Sequence, residues 1–178
     1  LRFAANHGHL DMVKILVEAG ADPSIDNYTP HTLACYEGHI DVAKFLAPFG
    51  HDSRHITDIT LRAAIIFGNL GVVQHLVSLG ADVHANNGIS LYYAASVGHL
   101  GLVQYIVGSG VDIHLRNDRA LRIACKKGRV EVVRYLISIG ADLTAVNNAP
   151  FRRAVAGGHS ELVEYLRGAY AAIGVALS

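Results

Sequence analysis

Glycine returns every 30 residues along this 178-residue chain, at Gly8, Gly38, Gly68, Gly98, Gly128 and Gly158. A second series, Gly20, Gly50, Gly80, Gly110 and Gly140, keeps the same interval. The skeleton around them repeats as well: an apolar residue and Ala ahead of the first glycine, apolar pairs behind it, then Gly-Ala-Asp. A fixed period of this length is the signature of a solenoid, in which each copy buries its apolar face against the next. The repeat leaves no linker, so the sequence predicts one continuous domain over residues 1–178. Its units are about 1–30, 31–60, 61–90, 91–120, 121–150 and 151–178, the first and last incomplete. Leu1 stands where a Met would start a chain and falls inside a repeat, which reads as an excerpt.

Within one copy, Leu121, Ala124 and Cys125 fall at helical spacing before Gly128, and Val130, Val132, Val133, Leu136 and Ile137 follow it. This predicts two short amphipathic helices joined at a glycine. Each glycine is expected just past a helix end, where a left-handed residue is common. Asp11, Asp41, Glu131 and Glu161 stand at the first turn of the second helix, where the helix dipole favours negative charge. Thr29, Thr60, Ser90, Asp118 and Asn148 stand ahead of the first helix and are expected to cap its free amides, with Pro30 and Pro150 in its first turn. Asn27, Asn87, Asn117 and Asn147 mark the connecting turn.

Gly-His at Gly8-His9, Gly38-His39, Gly98-His99 and Gly158-His159, followed by apolar pairs and Gly-Ala-Asp, resembles the ankyrin repeat. Residues 8–22, Gly-His-Leu-Asp-Met-Val-Lys-Ile-Leu-Val-Glu-Ala-Gly-Ala-Asp, carry the likeness most fully, and it extends over essentially the whole chain. The resemblance implies an all-α ankyrin-repeat solenoid of helix-turn-helix units. The usual repeat has about 33 residues and a Thr-Pro-Leu-His start, of which only Thr29-Pro30 remains here. The missing residues fall in the connecting turn, so the finger-like hairpins are expected to be shortened or absent. Thirty-residue copies of this style resemble arrays of giant viruses of amoebae, and more loosely those of intracellular bacteria, which would imply a role in virus-host interaction.

Several chemistries are disfavoured by the pattern. Half the residues are apolar and the formal net charge is zero, unlike a disordered tail. No run approaches the roughly 18 apolar residues of a membrane span, so no membrane insertion is expected. Cys35 and Cys125 hold one repeat position three copies apart, which excludes a disulfide between them and makes them small core residues. Unpaired thiols fit a reducing, intracellular setting, cytoplasmic or nuclear, and a host cell if the source is viral. Of eleven histidines, His9, His39, His99 and His159 are the repeating Gly-His residue, and equivalent positions on successive copies lie too far apart to share a metal. The same applies to His84 and His114, while His51 and His55 lie in a turn without a nearby Cys. Neither a metal nor a cofactor is expected. No Gly-x-Gly-x-x-Gly or Walker-type run is present, and a stacked array lacks the enclosed pocket that catalysis generally uses. No catalytic residue is assigned.

What varies between copies is the surface. The pairs ahead of the inter-helix glycine read Asn6-His7, Tyr36-Glu37, Ile66-Phe67, Ser96-Val97, Lys126-Lys127 and Ala156-Gly157. The ankyrin resemblance places them on a concave partner-binding groove, with Tyr28, Ile59, Ile89 and Arg119 of the turns alongside. The candidate partner-binding residues are therefore Tyr28, Tyr36, Ile59, Ile66, Phe67, Ile89, Val97, Arg119, Lys126 and Lys127. Ile66 and Phe67 have two readings: an apolar anchor for another protein, or side chains that the shortened turn lets fold into the core.

Charge is polarised along the chain. Residues 1–115 carry 5 basic and 10 acidic side chains, and residues 116–178 carry 10 basic and 5 acidic. Arg116, Arg119, Arg122, Lys126, Lys127, Arg129, Arg152 and Arg153 form a basic patch suited to an acidic protein segment, an anionic surface or nucleic acid. Nucleic acid ranks lower, because no base-stacking platform or recognition helix is visible. A solvated face without a ligand is the remaining reading. Tyr105, Tyr135 and Tyr165 recur at one position and predict a spine of stacked half-buried rings. Pro48 and His51 mark a locally distorted junction. After Leu166 the pattern decays, with Tyr170 where glycine is due and Ala171, Ala172, Ile173, Val175, Ala176 and Leu177 behind it. This apolar tail is a cap, the start of a further domain, or a self-association contact with a second chain. The sequence reads as a non-catalytic scaffold or adaptor for a partner protein. Electrostatic binding of nucleic acid or an anionic surface by the basic C-terminal repeats is the alternative.

Overall fold

All six glycines of the first series adopt a positive φ, from +66° at Gly128 to +98° at Gly98. Without a Cβ the backbone turns there out of one right-handed helix and into the next at little steric cost. Two backbone bonds lock the reversal at Gly38. Its N–H donates to the Cys35 carbonyl at 3.3 Å, and the His39 N–H donates to the Ala34 carbonyl at 2.8 Å. Gly20, Gly80, Gly110 and Gly140 of the second series also have positive φ.

The structure, a computed structural model, describes residues 1–49 and 54–176, the side chains of residues 27, 28 and 54–59 excepted. Expectations for Gly50, His51 and Leu177, and for the side chains of Tyr28, His55 and Ile59, fall outside the described residues, while the backbone of His55, expected in a turn, is helical. Among the described residues the chain is helical, with no strand. It divides into two compact units, Leu1–Asp82 and Val83–Ser178.

The N-terminal unit holds α1 (Arg2–Asn6), α2 (Leu10–Glu18), α3 (Ile25–Glu37), α4 (Ile40–Leu46), α5 (Arg54–Phe67) and α6 (Leu70–Ser78). First helices pack in the series α1, α3, α5 and second helices in the series α2, α4, α6. Ala5, Ala34 and Cys35 are completely buried, and such short side chains let helix backbones approach closely. Pro48 lies in a 3-10 turn, Ala47–Phe49, that follows α4, so the junction expected to be distorted does depart from the α-helix.

The C-terminal unit repeats the scheme with α7 (Ala85–Val97), α8 (Leu100–Gly108), α9 (Leu115–Lys126), α10 (Val130–Ser138), α11 (Ala145–Ala156) and α12 (Ser160–Ala172). Here α9 packs between α7 and α11. Ala94, Ala95, Ala124, Cys125 and Ala154 are buried along these three helices. Burial pushes both the Cys35 and Cys125 thiols up to about 12, which keeps them protonated and inert.

The shortened connection is built from left-handed residues. Asn86, Asn87 and Gly88 open α7, Arg116, Asn117 and Asp118 open α9, and Val146, Asn147 and Asn148 open α11, all with positive φ. One tight left-handed turn thus stands where a longer repeat would carry a hairpin. Gly88 answers to a second constraint, because a Cβ there would stand 2.6 Å from Leu115 Cδ1 of the next repeat.

This turn corrects the expected capping. Asp118 and Asn148 are left-handed turn residues, with φ of +53° and +57°, and no side-chain cap bond forms at the starts of α9 and α11. Asp118 is buried and points its carboxylate forward, where Oδ1 accepts the Asp142 N–H at 2.9 Å and faces His114 Nδ1 at 3.0 Å. Thr29 does not cap α3 either, since its hydroxyl donates to the Asp26 carbonyl at 2.6 Å. The Asp that ends Gly-Ala-Asp, or Gly-Val-Asp at residues 110–112, closes a small turn of its own. Asp22, Asp112 and Asp142 accept the N–H two residues on, from Ser24, His114 and Thr144.

At the C-terminus α12 runs on past the expected stop and ends before Gly174, with φ of +72°. Tyr170 is fully buried, packs edge-on to Phe151 and donates its hydroxyl hydrogen to the Leu143 carbonyl. The tail therefore closes the last repeat at Tyr170, while Ile173 remains exposed. Tyr105, Tyr135 and Tyr165 are half-buried, but among the described residues their rings do not stack on one another; Tyr165 instead lies under the Arg134 guanidinium at 4.3 Å.

Val146 is the costly member of its turn. A left-handed L-residue costs about 1–2 kcal/mol, and a β-branched one is unusual there. Asn86 occupies the equivalent position two repeats earlier. Val146→Asn is expected to raise the unfolding free energy of the protein by about 1 kcal/mol, measured by urea unfolding; an unchanged or lowered value contradicts the assigned strain.

Candidate functional site

The pairs ahead of the inter-helix glycines close the first helices. In the N-terminal unit, Tyr36 near the end of α3 and Ile66 and Phe67 at the end of α5 hold corresponding positions on two packed helices. Phe67 is 63% exposed and Ile66 37%, while Tyr36 is half-buried. The two large apolar side chains thus stay out of the core, against the reading in which the turn folds them inward. In the C-terminal unit Ile89 and Val97 are half-buried, and Lys126 and Lys127 are exposed.

The backbone of these pairs is tied to the following repeat. His39 Nε2 lies 3.1 Å from the Asn6 carbonyl, Arg129 Nε donates to the Ser96 carbonyl at 3.1 Å, and His159 Nε2 lies 3.0 Å from the Lys126 carbonyl. The separation is 33 residues each time. One residue after the inter-helix glycine therefore binds the chain two residues before the preceding glycine. Arg129, assigned to the basic patch, performs the task that histidine performs elsewhere. Its charge remains, but its Nε is committed.

The other basic residues divide in the same way. Arg122 Nη2 donates to the Arg116 carbonyl at 2.8 Å and Arg152 Nη2 to the Val146 carbonyl at 3.0 Å. Each guanidinium thus satisfies the first carbonyl of its own left-handed turn. Arg119 lies over the Tyr92 ring, 4.0 Å from its centre, a cation–π contact. Burial lowers the Arg122 pKa, the neighbouring charges of Arg153 and Arg119 add to that, and Asp118 opposes it. Sequence spacing had gathered these residues into a patch but not the roles of their nitrogens. The turn carbonyl became an acceptor only because the backbone there is left-handed.

Histidines in the N-terminal unit form a different cluster. His31 of α3 faces His75 of α6, ring centres 5.9 Å apart, and His31 Nε2 lies 3.7 Å from Cys35 Sγ. His75 Nε2 is buried without a hydrogen-bond partner. Burial, and then the neighbouring His75, push the His31 pKa down to about 4. The His75 pKa is also lowered, by burial first and by Lys44 second, against a hydrogen bond with the Ala43 backbone. Both rings are neutral near pH 7. Among the described residues no group of three or more His, Cys, Asp or Glu side chains is gathered to hold a metal, and no helix is long and apolar enough to cross a membrane.

Tandem 30-residue helix pairs, joined at left-handed glycines and differing at their helix ends, define a helical repeat protein. The family model described as ankyrin repeats (3 copies) matches twice, over residues 1–87 and 91–175. The chain belongs to the ankyrin-repeat family. Among solved structures, the human ASB11 ankyrin repeat domain is similar, with a TM-score of 0.78 and 23% identity, over 94% of this chain and 81% of that one. That likeness establishes the all-α ankyrin fold. Nothing among curated proteins matches significantly.

The histidine pair sets an acid dependence. A histidine held near 4 in the fold but near 6.5 when unfolded binds its proton more readily in the unfolded chain. Its contribution is intact above about pH 6.5 and is lost as pH falls toward 4. Between pH 7.5 and 5 the loss is on the order of 2 kcal/mol. His31→Gln is expected to flatten the decline of urea-unfolding stability across that range. A decline as steep as that of the wild type contradicts the assignment.

Proposed function

We propose that this chain is a non-catalytic scaffold that binds a partner protein through the side chains at the ends of its first helices. Ankyrin repeats are generally protein-interaction modules, and the family supports that coarse reading. The observation that carries the finer one is the exposure of Ile66 and Phe67 beside Tyr36. Large apolar side chains in water gain free energy when another surface covers them, roughly 25 cal/mol per Å² of apolar area. Aromatic residues at such places are common interface anchors.

Rigid display is the mechanism. The left-handed Gly38 and Gly68 fix the ends of the helices that carry Tyr36, Ile66 and Phe67. Binding then orders little of the receptor, and a smaller entropic cost opposes it. The buried thiols fit a reducing compartment, and the role is an adaptor's rather than an enzyme's.

Phe67→Glu replaces an exposed ring by a charge and should leave unfolding within about 0.5 kcal/mol of the wild type. Proteins captured from the source cell by immobilised wild-type and F67E chains are compared by quantitative mass spectrometry. The reading expects specific partners to fall at least roughly tenfold, about 1.4 kcal/mol of binding free energy. An identical captured set contradicts it.

A further inference from the structure

Arg119 and Arg122 stand three residues apart on α9, and Arg153 stands on α11, which packs against α9; the charges of Arg153 and Arg119 both act on Arg122. Arg2 pairs with Asp26 in the N-terminal unit, and Asp118 pairs with His114. The carboxylate that acts on Arg122, Asp118, is buried and engaged by the Asp142 N–H and His114. Arg122 Nε is buried and has no hydrogen-bond partner. Like charges gathered in this way attract an anion.

We propose that Arg119, Arg122 and Arg153 form a docking site for an acidic peptide segment of a partner protein, one carrying neighbouring Asp or Glu side chains. The proposal rests on the protein-binding reading above and names the chemistry of one partner. Two of the guanidinium groups are already held: Arg122 by its bond to the Arg116 carbonyl, and Arg119 by the Tyr92 face. Immobilising a free long side chain costs conformational entropy, and much of that cost is met in the fold. On Arg122, Nη2 is bonded and Nε is buried, so Arg119 and Arg153 would supply the planar forks that pair two bonds with a carboxylate. Lys126 and Lys127, exposed at the end of α9 and just beyond it, add attraction at longer range.

Nucleic acid fits the same residues less well. Single strands gain from bases stacked on open rings, yet Arg119 covers Tyr92 and Arg134 covers Tyr165. The positive charge is also modest: residues 83–178 carry 10 basic and 6 acidic side chains, a net of +4. Residues 1–82 carry 5 basic and 9 acidic, a net of −4, which makes a second copy of the chain the competing acidic occupant.

The test uses the full chain and a short fluorescent peptide bearing a run of Glu between Gly and Ser residues. Affinity is read by anisotropy at fixed ionic strength, beside an oligothymidylate of equal charge and with light scattering for mass. Paired Arg119→Gln and Arg153→Gln substitutions should weaken peptide binding roughly tenfold or more. Paired Arg119→Lys and Arg153→Lys substitutions keep the charge and should still weaken it several-fold, because the forks are lost. F67E should bind this peptide as the wild type does, so the outcome is independent of the capture experiment on the apolar surface. Unchanged affinity in both paired variants overturns the site. Tighter binding of the oligothymidylate, or a wild-type dimer that the Gln pair converts to a monomer, overturns the choice of occupant.

Discussion

The left-handed backbone at a 30-residue interval is the constraint on which the remaining structure depends. Gly38 and its equivalents bring each second helix back beside its first, and the three-residue turns at Asn86, Arg116 and Val146 send the chain on to the next copy. Given those reversals, every repeat places the same small residues, such as Ala94, Ala95, Ala124 and Cys125, where helices meet. Had any reversal taken another geometry, the apolar stripes of neighbouring copies would not face one another. The interior is generic because the backbone repeats, and individuality is left to positions without a packing duty.

The left-handed turn also decides the fate of several charged residues. A longer connection would satisfy its own carbonyls in a hairpin, whereas here the Arg116 and Val146 carbonyls take bonds from Arg122 and Arg152. Asp118 turns toward the Asp142 N–H and ties one turn to the next. Positive charge accumulates in the C-terminal unit partly for this structural reason. Beyond these bonds, the charges of Arg119 and Arg153 act on Arg122, and the proposed acidic segment would dock there.

The sequence made the helix pairs legible because glycine at a left-handed position is a local requirement, visible without any tertiary information. Burial of Cys35 and Cys125 followed from their repeat position alone. The connecting turn was legible as short and, at Asn87, Asn117 and Asn147, as tolerant of left-handed geometry, which these residues do adopt. Arg116, Val146 and Asp118 have no intrinsic preference for positive φ strong enough to announce it, and Asp118 ahead of a helix resembles an ordinary cap. The bonds spanning 33 residues were hidden too, since they join a side chain to a backbone carbonyl whose residue type is irrelevant. Asn6, Ser96 and Lys126 share nothing but their place. Of the proposed surface, the exposure of Phe67 could not be decided from the sequence, because its apolar character suits a core as well as an anchor.

The central claim is that repeat geometry specifies the fold while the pairs ahead of the glycines select the ligand. Its most direct test replaces Tyr36-Glu37, Ile66-Phe67, Ser96-Val97 and Lys126-Lys127 together by the Asn-His pair of the first repeat, and measures urea unfolding beside partner capture. The account predicts a single cooperative transition within roughly 2 kcal/mol of the wild type and loss of the wild-type partners. A chain that no longer folds, or that keeps those partners, would contradict it.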